Sequence, residues 1–208
     1  MLKQRSTAIS LPNLHQGLKR TETPAAWDLT AFSGRFSEIS GTEATAALTL
    51  TVGLIGEAQR RGEPAAWITR RESSFYPPDV AATGIDLGAL VVIWTADARD
   101  SAQAADLLLR SGAFGLLVMD LGSDHTLPLA TQNRLAALAK KHDTALLCLT
   151  RKEEQQPSVS ALISLRAQAT RTGHHQARFR CEARILKDKR RGPGWTHTEV
   201  YHGPDGLR

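Results

Sequence analysis

The sequence predicts an α/β domain, with a mainly parallel twisted sheet flanked by helices and an antiparallel extension at its C-terminal end. Three observations lead there. Apolar runs of strand length alternate with helical stretches at a rhythm that suits crossover units. One of those runs, Gly115–Asp120, is continuously apolar up to its final carboxylate, as strands covered on both faces are. After Pro157 the pattern changes to strand-like segments joined by Gly/Pro turns.

Residues 1–33 mix polar and apolar positions around Pro12 and Pro24 and read as an arm leading into the fold. Arg35–Ile39 alternates polar and apolar residues, as a short strand does. A helix follows from about Ala44 to Arg61, rich in Ala and Leu and closed by Gly62. Ala65–Ile68 is the next strand and Leu90–Trp94 a buried one, which places Trp67 and Trp94 in the core. Ser101–Ser111 has helical spacing through Ala105, Leu108 and Leu109, and Gly112 is its C-terminal stop. Gly115–Asp120 is a strand ending in a carboxylate, Leu129–His142 a helix and Ala145–Leu149 a strand. Val159–Ala167, Ala177–Leu186 and Thr196–Tyr201 complete the set as strands of a mixed or antiparallel extension. The organisation is an arm over 1–33, a core over 34–165, and a basic end over 166–208 within the same domain.

Composition narrows the class. With 208 residues, 41% hydrophobic and 23% charged, the chain has the make-up of a soluble globular protein. No apolar run approaches the roughly 20 residues a membrane helix needs, and Met1–Arg5 opens no apolar signal core. The only cysteines, Cys148 and Cys181, provide neither a disulfide framework nor a thiolate metal cluster, so a cytoplasmic setting is expected. His174-His175 lacks companions at ligand spacing. Charge is unevenly spread: residues 166–208 hold 10 Lys and Arg against 4 Asp and Glu, while residues 1–165 hold 16 against 17. A basic end of this kind suits an acidic partner, either nucleic acid or an acidic protein surface, or serves simply as a solvated face.

A family resemblance rests on particular residues. Gly34–Glu43, reading GRFSEISGTE, is similar to the strand and turn that enter the phosphate loop of the RecA recombinase family. The likeness continues through Glu57–Gly62, Thr83–Leu87, Leu109–Ala113 and the strand to Asp120, then Arg184–Lys189, Pro193 and Glu199–Gly203. The order is the family's own, which implies a RecA-like core. A phosphate loop needs glycines to turn N–H groups toward phosphate, a lysine for the β/γ-phosphates and a hydroxyl for Mg²⁺. Gly41 matches the first glycine. The later glycine, the lysine and the hydroxyl fall on Ala46, Ala47 and Leu48. Ser40 and Glu43 have capping-box spacing, so the segment reads as an ordinary helix start. Asp120 matches the family's metal-coordinating carboxylate. The family's water-activating glutamate falls on Arg71, with Glu72 one step late, and its switch glutamine falls near Arg151. The resemblance therefore implies no ATPase chemistry, no cofactor and no metal.

The family's DNA-binding loops would follow Asp120 and Leu149, where Leu121–Pro128 and Arg151–Ser158 are too short for them. Strand exchange and self-assembly into an active filament are not expected. Lys187 and Lys189 match a lysine pair that, in the family's filament, reaches a neighbouring subunit. With Arg190, Arg191 and Trp195 they form a candidate partner-binding face, or else a solvated hairpin turn. A short RecA-like chain that lacks these parts is similar to ImuA, a family of SOS mutagenesis accessory proteins. That resemblance implies a role in translesion synthesis beside RecA and a Y-family polymerase-like protein, with no membrane partner. Two other functions stay open at this point: direct DNA binding through the basic end, and a residual NTPase.

Overall fold

The computed structural model describes residues 27–42, 44–71, 73, 75–123, 126–175 and 178–202. One sheet of eight strands runs through it: β1 (Phe36–Gly41), β2 (Ala65–Arg70), β3 (Leu90–Thr95), β4 (Leu116–Gly122), β5 (Ala145–Arg151), β6 (Leu165–His175), β7 (Arg178–Asp188) and β8 (Thr196–His202). Their spatial order is β3-β2-β4-β5-β1-β6-β7-β8. Every pairing from β3 to β6 is parallel, and β6–β7 and β7–β8 are antiparallel. The mixed extension expected from the sequence is therefore present, attached to β1 through one further parallel strand.

Helices cover both faces of the parallel part. α2 (Ala44–Arg60) presents Ala46, Ala47, Leu50, Leu54 and Ala58 to one side of the sheet, with Leu50, Leu54 and Ala58 continuing the two alanines at the three- or four-residue spacing of a core-facing stripe. They meet Ile39, Trp67, Val118, Leu147 and Ala167 there. α4 (Ala98–Ser111) and α5 (Leu129–Lys141) cover the other side, where Ala105, Leu109, Leu135 and Ala139 pack against Phe36, Ile68, Leu117 and Leu146. Asp97 caps α4 by accepting the N–H of Asp100 at 2.8 Å. Gly112 ends it at φ 65°, with its α-carbon so close to His142 that an added Cβ would lie 2.7 Å from Nδ1. The two thiols fall in different parts of the sheet: Cys148 lies on β5, Cys181 on β7, and both are buried.

Three expectations need correction. The packed body begins upstream of Gly34: α1 (Leu29–Phe32) is a single turn whose Leu29 and Phe32 are 3% and 1% exposed and belong to the α2-side core. Residues 1–26 of the expected arm lie outside the described residues. Trp94 is 49% exposed, because β3 is the edge strand and nothing described packs on the outer half of its side chain. Trp67, on β2, is fully buried as expected. Finally, β6 starts only at Leu165: Val159 and Ile163 are buried as part of a loop that folds over the sheet, not as a strand. A short α3 (Pro77–Ala81) leads toward β3.

Candidate functional site

In doubly wound folds, ligands bind outside the C-terminal ends of the parallel strands, beside the strand where the winding reverses. Here that place is the end of β1, flanked by β5 and β6. β1 closes at Gly41 and α2 opens at Ala44, so residues 42 and 43 alone connect them. The stretch that a phosphate loop would use is already helix. Ala46 and Ala47, 2% and 5% exposed, point their methyls into the core, and Leu48 packs against the same cluster. The carbonyl of Ala47 accepts the Thr51 hydroxyl at 2.7 Å, an interaction internal to α2. Glu43, the expected capping partner of Ser40, lies outside the described residues.

The crevice beside β1 is filled from within. Glu38, on β1, is completely buried and pairs with the equally buried Lys152 at 2.5 Å. Its Oε1 also accepts the Thr150 hydroxyl at 2.8 Å, and its Oε2 accepts the N–H of Val159 at 3.0 Å. Lys152 donates to the Pro157 carbonyl at 2.7 Å, and its N–H donates to the Gly41 carbonyl at 3.0 Å. Arg166, on β6 and 5% exposed, donates to the carbonyls of Gln156 and Glu153 at 2.5 and 3.2 Å. Ser40 donates its hydroxyl to Gln168 at 2.8 Å, and the Gln168 amide donates to the Lys152 carbonyl at 3.3 Å. Residues 152–160 are thereby tied across the end of β1 by four buried side chains: Glu38, Lys152, Arg166 and Gln168. A buried charge is tolerated when it is paired or hydrogen-bonded: Glu38 and Lys152 are both, and Arg166 is hydrogen-bonded to two carbonyls.

Sequence reading missed those four residues. The signal was present but weak: Glu38 interrupts an apolar strand, Lys152 directly follows one, and Arg166 stands near the start of another. Only the parallel pairing of β1 with β5 and β6 brings the three charges together.

Asp120, at the end of β4, is close to Thr69, whose hydroxyl donates to Oδ2 at 3.3 Å. Burial pushes its carboxyl above the ordinary range, against hydrogen bonds from Ser73 and Thr69 and the charge of Arg70. Arg70 also donates to the Leu121 carbonyl at 2.8 Å. Among the described residues, no group of three His, Cys, Asp or Glu stands at metal-binding distance. Arg71 and Arg151 are exposed, and Glu72 lies outside the described residues.

The basic turn between β7 and β8 is built on a second buried pair. Arg35 donates to Asp188 at 2.7 Å, with both side chains at most 3% exposed. Burial opposes the Asp188 charge, yet the Arg190 N–H and the Arg35 guanidinium hold its carboxyl below the usual range. Gly192 and Gly194 take φ of 91° and 98°, conformations that side chains disfavour, and so close the turn. Lys187 and Lys189 both reach the Ala161 carbonyl at 3.3 Å. Burial and the neighbouring Lys189 lower the Lys187 ammonium from its ordinary value. Arg190 donates to the Ser33 carbonyl at 2.9 Å, and Arg191 is exposed. Lys187, Lys189, Arg190 and Arg191 thus gather on one turn. Trp195 is half-buried and packs against the α2-side core of its own chain.

The RecA N-terminal domain family matches residues 29–130 of the chain. Protein RecA of Teredinibacter turnerae is 37% identical over 87 residues, 42% of this chain and 25% of its own length. Protein RecA of Leifsonia xyli subsp. xyli is 38% identical over 87 residues, 42% of this chain and 24% of its own. The match thus spans about a quarter of these curated relatives. With the strand order and the two helical layers, it supports a RecA-like fold, and over residues 29–130 the chain is similar to the RecA N-terminal domain. No helix among the described residues is long and apolar enough to cross a membrane.

Proposed function

We propose that this chain is a non-catalytic RecA-like protein that works through its surfaces, as an accessory factor in damage-induced mutagenesis and translesion synthesis. Its partners on this reading are a RecA recombinase subunit, a Y-family polymerase-like protein, or both. They would dock on the turn that carries Lys187, Lys189, Arg190 and Arg191, with the exposed part of Trp195 at its margin. The observation that carries the reading is the use of Ala46 and Ala47 as core side chains of α2, where a nucleotide site needs glycine and lysine turned toward phosphate. The filled crevice beside β1 supports the same view. The two lysines support the docking half: they converge on one carbonyl, so each ammonium keeps further N–H donors for an acidic partner.

Two measurements test it. Melting temperature should be unchanged by millimolar ATP with Mg²⁺; a clear rise would overturn the non-catalytic reading. Immobilised full chain should capture purified RecA or the polymerase-like protein, and Lys187→Ala/Lys189→Ala should weaken capture about tenfold or more. Equal capture by wild type and variant would remove the lysine turn as the docking face.

A further inference from the structure

β6, β7 and β8 continue past β1 as a ribbon, and β8 is its outer edge. β8 pairs with β7 from Thr196 to His202 without a bulge. Ile185 donates its N–H to the Trp195 carbonyl at 2.9 Å, which fixes the polarity of the strand. Residues 197, 199 and 201 turn their backbone groups toward β7, and Thr196, Thr198 and Val200 turn theirs outward. Among the described residues, no hydrogen bond reaches those outward groups.

An open edge is a template for another strand, and chains that stay single blunt it with lysine, proline or a bulge. Thr196–His202 contains neither lysine nor proline. Thr196, Thr198 and Val200 are all exposed. The opposite set, His197 and Tyr201, turns to the α2 side: His197 stacks on Trp27, and Tyr201 packs against the core cluster. Glu199 stands between them, 3.5 Å from His197 and hydrogen-bonded to the Tyr201 hydroxyl. The His197 and Glu199 side chains are 24% and 50% exposed, so both can be reached from the edge. We propose that β8 pairs antiparallel with β8 of a second copy of this chain, about a two-fold axis through Thr198.

The strand's own sequence selects both the occupant and the register. With the axis at Thr198, that residue exchanges both backbone hydrogen bonds with Thr198 of the second copy, and Thr196 does the same with Val200. Between these lie the close pairs, about 4.5 Å apart at the α-carbons, in which His197 faces Glu199 of the other copy. Each carboxylate then has an imidazole on either side, and Trp195 faces Tyr201 at both ends of the pairing. Moving the axis by one residue loses this match. At Glu199 the two carboxylates meet; at His197 the two imidazoles meet and Glu199 faces Trp195. The complementarity is thus that of the strand with itself, which a second copy supplies and a strand of another protein does not. Pairing at β8 goes beyond docking at the lysine turn, and either can fail alone.

The test is sedimentation velocity of the full chain from about 1 to 100 μM, where a micromolar dimer passes from mostly dissociated to mostly formed. Thr198→Pro removes an N–H that β7 does not use, so it should leave the melting temperature unchanged and weaken dimerisation about tenfold or more. Glu199→Lys should weaken it about threefold to tenfold, and His197→Glu/Glu199→Lys, which exchanges the charges, should recover most of that loss. Thr198→Cys should form a disulfide between copies under mild oxidation, since residues opposite each other in a hydrogen-bonded pair are about 5.5 Å apart at the α-carbons. Val200→Cys should not, because it lies four residues along the strand, roughly 14 Å, from its counterpart. Cys148 and Cys181 are buried and leave this readout clear. Four results would each overturn the proposal: a monomer throughout, which would leave the edge to another protein's strand; a dimer indifferent to Thr198→Pro; a charge exchange that recovers nothing; or disulfides formed equally at 198 and 200.

Discussion

Glu38 and Lys152 illustrate how one pair of charges fixes a whole segment. Neither side chain reaches water, and each has further partners beyond the other: Thr150 and the Val159 N–H for the carboxylate, the Pro157 carbonyl for the ammonium. Removing one member strands the other in a medium that stabilises charge poorly. Lys152→Met is therefore expected to lower unfolding free energy by about 3–5 kcal/mol, seen as a lower urea midpoint at unchanged slope. Glu38→Met/Lys152→Met should recover only part of that loss. The paired charges are gone, but the Thr150 hydroxyl, the Val159 N–H and the Pro157 carbonyl lose their partners. A double variant as stable as wild type would mean that the loop is held by its apolar residues alone.

At the scale of elements, α2 begins where the family resemblance places a phosphate loop. Introducing the motif residues with Ala46→Gly/Ala47→Lys/Leu48→Thr should not create nucleotide binding, because position 47 faces the core and the strand-to-helix connection is two residues long. The expected outcome is a lower melting temperature, from burying an ammonium and placing glycine in a helix, with no response to ATP and Mg²⁺. A nucleotide-dependent rise would show instead that the segment can reopen as a loop. This helix, like β4, β5 and α5, was legible in the sequence because local pattern and tertiary role agree there. Leu116–Met119 and Leu146–Cys148 are apolar because both faces of those strands are covered. Trp94 misled because an edge strand can carry the same apolar letters as a central one. Val159 and Ile163 misled because a loop buried over a sheet needs apolar residues too. The family resemblance aligned Ala46, Ala47 and Leu48 with phosphate-loop positions, and the helical pattern placed them in α2, where they pack on the core. Glu38, Lys152 and Arg166 were not, since their meeting depends on strand pairings more than 100 residues apart in the chain for β1 with β5 and β6.

The whole molecule joins two kinds of sheet through one core. α2 spans both, since Ala167, Ala183 and Ile185 of the extension share a cluster with Ile39, Trp67 and Leu147 of the parallel part. The extension is nonetheless the outer part, ending in the exposed strand β8, whereas β5 lies between β4 and β1. Each part contains one cysteine. Burial raises both thiols above their ordinary range, and at Cys148 the Glu38 carboxylate adds to the effect, so neither ionises readily in the folded chain. The pair therefore acts as two built-in clocks for opening. Alkylation by a small maleimide, followed by peptide mass spectrometry, should be slow at both sites, with Cys181 modified well before Cys148. Equal rates would mean that the sheet comes apart in one step. Unequal rates would mean that the basic strands can peel from β1 while the parallel centre stays closed, which would let this domain release one surface without unfolding the other.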